Sequence, residues 1–180
     1  EDEWNEGGAY DQHPEWRGQD KLGQSTPRLS YAHQGVRDLV VSFLKEMATY
    51  PVDGICLAYN RRPPYLEYEQ PLIDGFSSKF GKDPRQLDSK DPQWLSFRAS
   101  IMTLFMTELR QGLADVQNRL NRNKPFEISA IVLSSEDENL YYGLDLEQWV
   151  KKDLVDTLMP YSSVWGIDSS QHSWADPGSA

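Results

Sequence analysis

The feature that most constrains this chain is a helix that runs directly into a strand. Across residues 35–50, Val36, Leu39, Val40, Phe43, Leu44 and Met47 recur at helical spacing, with Arg37, Asp38, Lys45 and Glu46 on the opposite side. Pro51 stops this helix, because the residue before a proline is pushed out of the α region. The run 52–59, Val-Asp-Gly-Ile-Cys-Leu-Ala-Tyr, follows at once, and its near-continuous apolar content predicts a strand buried on both faces. Helices alternating with buried strands are the units of parallel β/α folds.

The rest of the chain repeats that unit. Residues 69–80 read as a short helix stopped by Phe80-Gly81-Lys82-Asp83-Pro84. Asp91-Pro92 opens the longest helix, since aspartate suits the N-cap and proline loses nothing in the first turn. Trp94, Leu95, Ile101, Met102, Leu104, Phe105, Leu109, Leu113, Val116 and Leu120 carry it for about seven turns. A break at 121–125 leads to a strand at 126–133, which ends in the polar cluster 134–139. A helix over 144–154 and a third strand over 156–161 complete the order. Residues 1–28 lack an apolar period and read as a loop-rich lead-in, and 164–180 read as an irregular tail, all within one domain spanning 1–180.

Such a succession predicts parallel β/α units with right-handed crossovers. A closed eight-stranded barrel takes ~250 residues. A chain of 180 therefore forms either an open sheet or part of a (β/α)8 TIM barrel.

Composition removes several functions. The net charge of −10 is the wrong sign for a surface that tracks phosphates, so nucleic acid is not an expected partner. No run approaches the ~20 apolar residues of a membrane span, and Glu1-Asp2-Glu3-Trp4 is no signal peptide; a secreted or periplasmic location would need a longer precursor. The single Cys56 lies inside the first apolar strand, where it reads as a small buried residue. His13 and His172 fall in irregular ends without metal-ligand spacing, no glycine-rich phosphate loop occurs, and Ser134-Ser135 lacks a nucleophile elbow. No metal and no cofactor is expected. The six Trp and nine Tyr, several of them in polar loops, suit a surface that stacks flat hydroxylated ligands.

Several segments, in order, resemble a known family. Leu29-Ser30-Tyr31-Ala32-His33 running into Val36-Arg37-Asp38, then Val52-Asp53-Gly54-Ile55 and Arg61-Arg62-Pro63-Pro64, is similar to the glycosyl-hydrolase-like family 10 of bacterial TIM-barrel proteins. Phe80-Gly81-Lys82-Asp83-Pro84, Tyr142-Gly143-Leu144-Asp145 with Trp149, Leu154-Val155-Asp156 and Met159-Pro160-Tyr161 extend the resemblance over roughly residues 13 to 162. It implies the middle of a (β/α)8 barrel, an ancestry of action on glycosidic bonds, and a carbohydrate partner. Unpaired barrel edges would make self-association a hazard. Related barrels often carry an acid where this chain has Ala58, so the resemblance also implies an alternative, a carbohydrate-binding barrel that has lost catalysis.

Side chains beyond strand C-termini face the ligand crevice of parallel folds. Glycoside hydrolysis usually needs two carboxyl groups, and Glu67 as acid with Glu136 as nucleophile or base is the sharpest pair, with Glu69, Asp137 and Glu138 close to them in sequence. Arg61 and Arg62 follow the first strand and can clamp a carboxylate or sugar hydroxyls. Tyr59, Asn60, Tyr65, Glu69 and His33 are expected to share that mouth as substrate-binding groups.

Overall fold

The computed structural model describes residues 7–61 and 63–161. The lead-in is more ordered than its composition suggests: a one-turn helix α1 (Ala9–Gln12) and a 3₁₀ turn (Pro14–Trp16) precede two strands, β1 (Arg17–Gln19) and β2 (Ser25–Leu29). These pair antiparallel, Arg17 opposite Leu29 and Gln19 opposite Ser25, with an irregularity between the pairs. Strands this short carry too few apolar positions to show an alternation, and Gly18 and Pro27 hide what remains.

The amphipathic segment becomes α2 (Gln34–Met47) and leads into β3 (Gly54–Ala58). Then come α3 (Gln70–Phe80), a 3₁₀ turn (Pro84–Gln86) and α4 (Pro92–Arg119), followed by β4 (Glu127–Leu133), α5 (Glu136–Tyr141), α6 (Leu146–Lys151) and β5 (Thr157–Tyr161). Asp91 caps α4 by accepting from the backbone N–H groups of Gln93 and Trp94, with Pro92 opening the helix behind it. The polar cluster at 134–139 is mostly helix, because Ser135 accepts from Glu138 N and caps α5.

The expectation of barrel units is overturned by the strand count and pairing. Among the described residues β3, β4 and β5 form one three-stranded parallel sheet in that order, while β1 and β2 form a separate antiparallel ribbon. Three strands are too few to close an eight-stranded ring, and the ribbon contributes nothing to the sheet. The fold is mixed α/β, with an open parallel sheet.

One face of that sheet makes the core. Ile55, Ile128, Ala130 and Val132 are buried with Met102, Phe105, Met106, Leu109, Leu113 and Val116 of α4 and with Trp149 of α6. Trp149 is anchored there by its indole N–H, which donates to Thr103 Oγ1 at 3.2 Å. The register places Cys56 beside Ser129, Ala58 beside Ile131, and Ile131 beside Met159, all on the opposite face. There Cys56, Ala58, Thr157 and Met159 are exposed, so the expectations of a strand buried on both faces and of a buried Cys56 are corrected. Small residues at alternate positions imitate a fully buried run while facing outward. The tail expected at 164–180 lies outside the described residues.

Candidate functional site

The chain leaves the C-terminal end of β3 and takes a long path, residues 59–69, before α3 begins. Tyr59 stays in the ladder, donating from its N–H to Ile131 O at 2.8 Å. Its side chain turns inward, 4% exposed, with the hydroxyl 3.3 Å from Met106 Sδ and the ring 5.3 Å from those of Tyr65 and Trp149. Burial raises its pKa well above the usual phenol value. Tyr59 is therefore a core residue.

Tyr65 closes the loop on itself. Its hydroxyl donates within reach of two carbonyls, Tyr59 O at 2.6 Å and Arg61 O at 3.0 Å, and burial raises its pKa. Asn60 is half-buried and Arg61 exposed beside it, while Arg62 lies outside the described residues. The Pro63–Pro64 peptide is cis.

The antiparallel ribbon holds the next part of the loop in place. Tyr31 N donates to Tyr65 O at 3.2 Å, and Tyr68 N to Gln19 O at 2.9 Å. Glu69 sits at the junction, 1% exposed, with its carboxylate accepting from Glu67 N at 2.8 Å and Gln19 N at 3.3 Å. Gly18 leaves it room, since a Cβ there would lie 3.3 Å from the Glu69 carboxyl. Burial raises the Glu69 pKa, and the backbone N–H groups around it oppose that rise. Glu69 is a built-in brace; its oxygens are already used.

Glu67 differs in exposure and in bonding. Its carboxyl is half-buried and has no hydrogen-bond partner among the described residues. Burial, reinforced by the neighbouring charge of Glu69 and less by Asp20, raises its pKa to about 7, against the pull of Arg28 and Arg98. Near neutral pH it is a mixture of acid and carboxylate, able to donate or to accept a hydrogen bond.

Arg98 supplies the facing charge. It lies on the inner side of α4, one turn after Trp94 and one turn before Met102, and is 5% exposed. Its Nη2 donates to Tyr141 O at 2.6 Å, and its guanidinium carbon is 5.5 Å from the Trp94 ring and 5.7 Å from the Tyr141 ring. Burial lowers its pKa, and Tyr68, Tyr141, Glu67 and Glu69 raise it. Gly143, at φ 86°, turns the chain after α5, and a Cβ built there would be 3.6 Å from Leu66 and Met102 and 3.9 Å from the Arg98 backbone. The loop after β3, the start of α4 and the end of α5 thus meet at Glu67 and Arg98.

The remaining expected site residues are His33, Glu136 and Asp137. His33 caps α2 through its backbone carbonyl, which accepts from Val36 N and Arg37 N. Burial lowers its pKa, with Glu15 opposing and Arg37 adding to the effect. Glu136 and Asp137 are exposed in the first turn of α5, where negative charge suits the helix dipole. The strongest carboxyl influence on Glu67 is Glu69.

Sequence reasoning missed Arg98, Trp94, Tyr68 and Tyr141. The legible signal was Arg98 itself, a charge on the apolar stripe of α4 between Trp94 and Met102, where a solvated residue does not belong.

No protein-family model matches this sequence, and a search of curated proteins finds no match.

Proposed function

We propose that this protein binds carbohydrate where the loop after β3 meets the start of α4, without cleaving it. The observation that carries this reading is the Glu67 carboxyl. It is half-buried, free of hydrogen bonds to the described residues, and set among the charges of Arg98 and Arg28. A group that both donates and accepts, next to a guanidinium and the half-buried Tyr141 ring, matches the hydroxyl-rich edge and flat face of a sugar. The ordered likeness to the glycosyl-hydrolase-like family 10 supports the same ligand class.

Binding is preferred to cleavage because the partner carboxylate is unsuitable. Hydrolysis places a second carboxyl across the scissile bond. Glu69 is enclosed and engaged by Gln19 N and Glu67 N, and the strand-end position suggested by the likeness holds Ala58. A second reading keeps the chemistry: a carboxyl with a pKa of about 7 has the character of a general acid, and Glu136 or Asp137 would then have to act as base.

Two assays on the same preparation separate the readings. A panel of oligosaccharides should raise the melting temperature of the protein, and Glu67→Ala should abolish the rise. Aryl glycosides of the same sugars should remain intact. Release of the aryl group, lost in both Glu67→Gln and Glu136→Gln, would replace binding by hydrolysis, and no sugar response in either assay would end both readings.

A further inference from the structure

Next to Glu67 three buried polar atoms lack partners among the described residues: the Tyr68 hydroxyl, the Trp94 indole nitrogen and Arg98 Nε. They form one group. The Tyr68 and Trp94 rings lie 5.2 Å apart, and the Arg98 guanidinium carbon is 5.5 Å from the Trp94 ring. Burial raises the Tyr68 pKa, and the Arg98 charge and the Trp94 N–H beside the hydroxyl counter that rise, yet no hydrogen bond of good geometry closes between Tyr68 and Trp94.

The chemistry of the three atoms is one-sided. Indole N–H and guanidinium Nε–H can only donate, and a tyrosine hydroxyl can donate as well as accept. Leaving such groups buried and unpaired costs about 1 to 3 kcal/mol each, so a cluster of them calls for an acceptor. The guanidinium determines the kind of acceptor, because it carries a full charge and no carboxylate lies within ion-pair distance of it among the described residues. Glu69 is committed to backbone N–H groups, and Glu67 influences Arg98 only through space.

We propose that Tyr68, Trp94 and Arg98 form a subsite for a carboxylate carried by the sugar, so that the ligand is a uronic acid or a similarly acidic saccharide. This rests on the carbohydrate reading above and narrows it. A planar carboxylate offers two acceptor oxygens to the donors of this group and neutralises the guanidinium, which a sugar hydroxyl does not do. Glu67 and Tyr141, both half-buried, adjoin Arg98, and the ligand approaches the donors alongside them. The Glu67 carboxyl is thus a neighbour of the ligand carboxylate, and its protonated form accommodates that neighbour without repulsion.

Calorimetric titration of the whole chain with trigalacturonate, with the neutral galactotriose and with glutarate tests this. The expected result is binding of trigalacturonate, with galactotriose and glutarate each at least about tenfold weaker, the equivalent of one charged hydrogen bond. Tyr68→Phe should weaken trigalacturonate about tenfold while leaving the melting temperature unchanged or higher, because the hydroxyl it removes is unpaired in the free protein. A fall in melting temperature with unchanged binding would make Tyr68 structural and overturn the subsite. Equal affinity for galactotriose and trigalacturonate would overturn the carboxylate subsite and keep the carbohydrate reading. Glutarate binding as tightly as trigalacturonate would keep the subsite and overturn the carbohydrate reading, and no binding of any of the three would overturn both.

Discussion

The loops after β3 and β4 leave the same end of neighbouring parallel strands, both carry clustered acids, and they use those acids in opposite ways. After β3 the chain is folded back against the β1–β2 ribbon, so that Glu69 is enclosed and Glu67 half-enclosed. After β4 the turn is short and is tied by the amide of Asn139, which accepts from Leu133 N and donates to the carbonyls of Leu133 and Ser135. There Glu136 and Asp137 begin α5 and stay in water. Acids at a strand end do not by themselves make a site. What covers them decides, and the ribbon covers Glu69.

The largest expected effect contrasts the two loops directly. Glu69→Ala leaves Glu67 N and Gln19 N without their acceptor inside the protein and should cost about 4 kcal/mol in urea unfolding. Equal costs for Glu69→Ala and Glu136→Ala would mean that the two loops hold their acids alike.

The next effect is a pH dependence specific to the first loop. The Glu67 pKa rises on folding from 4.5 to about 7, so the folded state holds the proton more tightly than the unfolded chain. Its contribution to stability is complete below pH about 4.5 and is lost as pH rises through about 7, a change of about 3 kcal/mol. Glu67→Gln should flatten that part of the stability curve, as measured by urea midpoints between pH 4 and pH 8. The enclosed Glu69, shifted in the same direction, leaves a residual slope.

Smaller effects belong to the second loop. Asn139→Ala removes three hydrogen bonds to backbone and should cost about 2 kcal/mol, equally at every pH in that range, because an amide does not titrate. Glu136→Ala, in an exposed first turn, should change stability by less than about 0.5 kcal/mol.

The helices and the strands of the parallel sheet were legible because their signals are local. The stripe Val36, Val40, Leu44 and the pair Asp91-Pro92 state their structure within a few residues. The ribbon was not legible, since Arg17, Gly18 and Gln19 gain their meaning only from Glu69, fifty residues away from Gln19. That distant contact also explains the fate of the candidates. Glu67 and Glu69 look alike in sequence, and only the ribbon separates a free carboxyl from a fixed one. Tyr59 reads as a mouth residue at a strand end, whereas the gap between Met106 and Trp149 takes its ring inward. Arg98 carried the missed signal, a charge inside an apolar stripe, which local pattern reading treats as noise.

The most direct test is backbone amide mapping by NMR as trigalacturonate is added to the whole chain. Shift changes are expected to centre on residues 65–69, on Trp94 and Arg98, and on residues 141–143, with Glu136 and Asp137 unmoved. Changes centred on Glu136 and Asp137 instead, with Glu67 and Arg98 silent, would contradict that expectation.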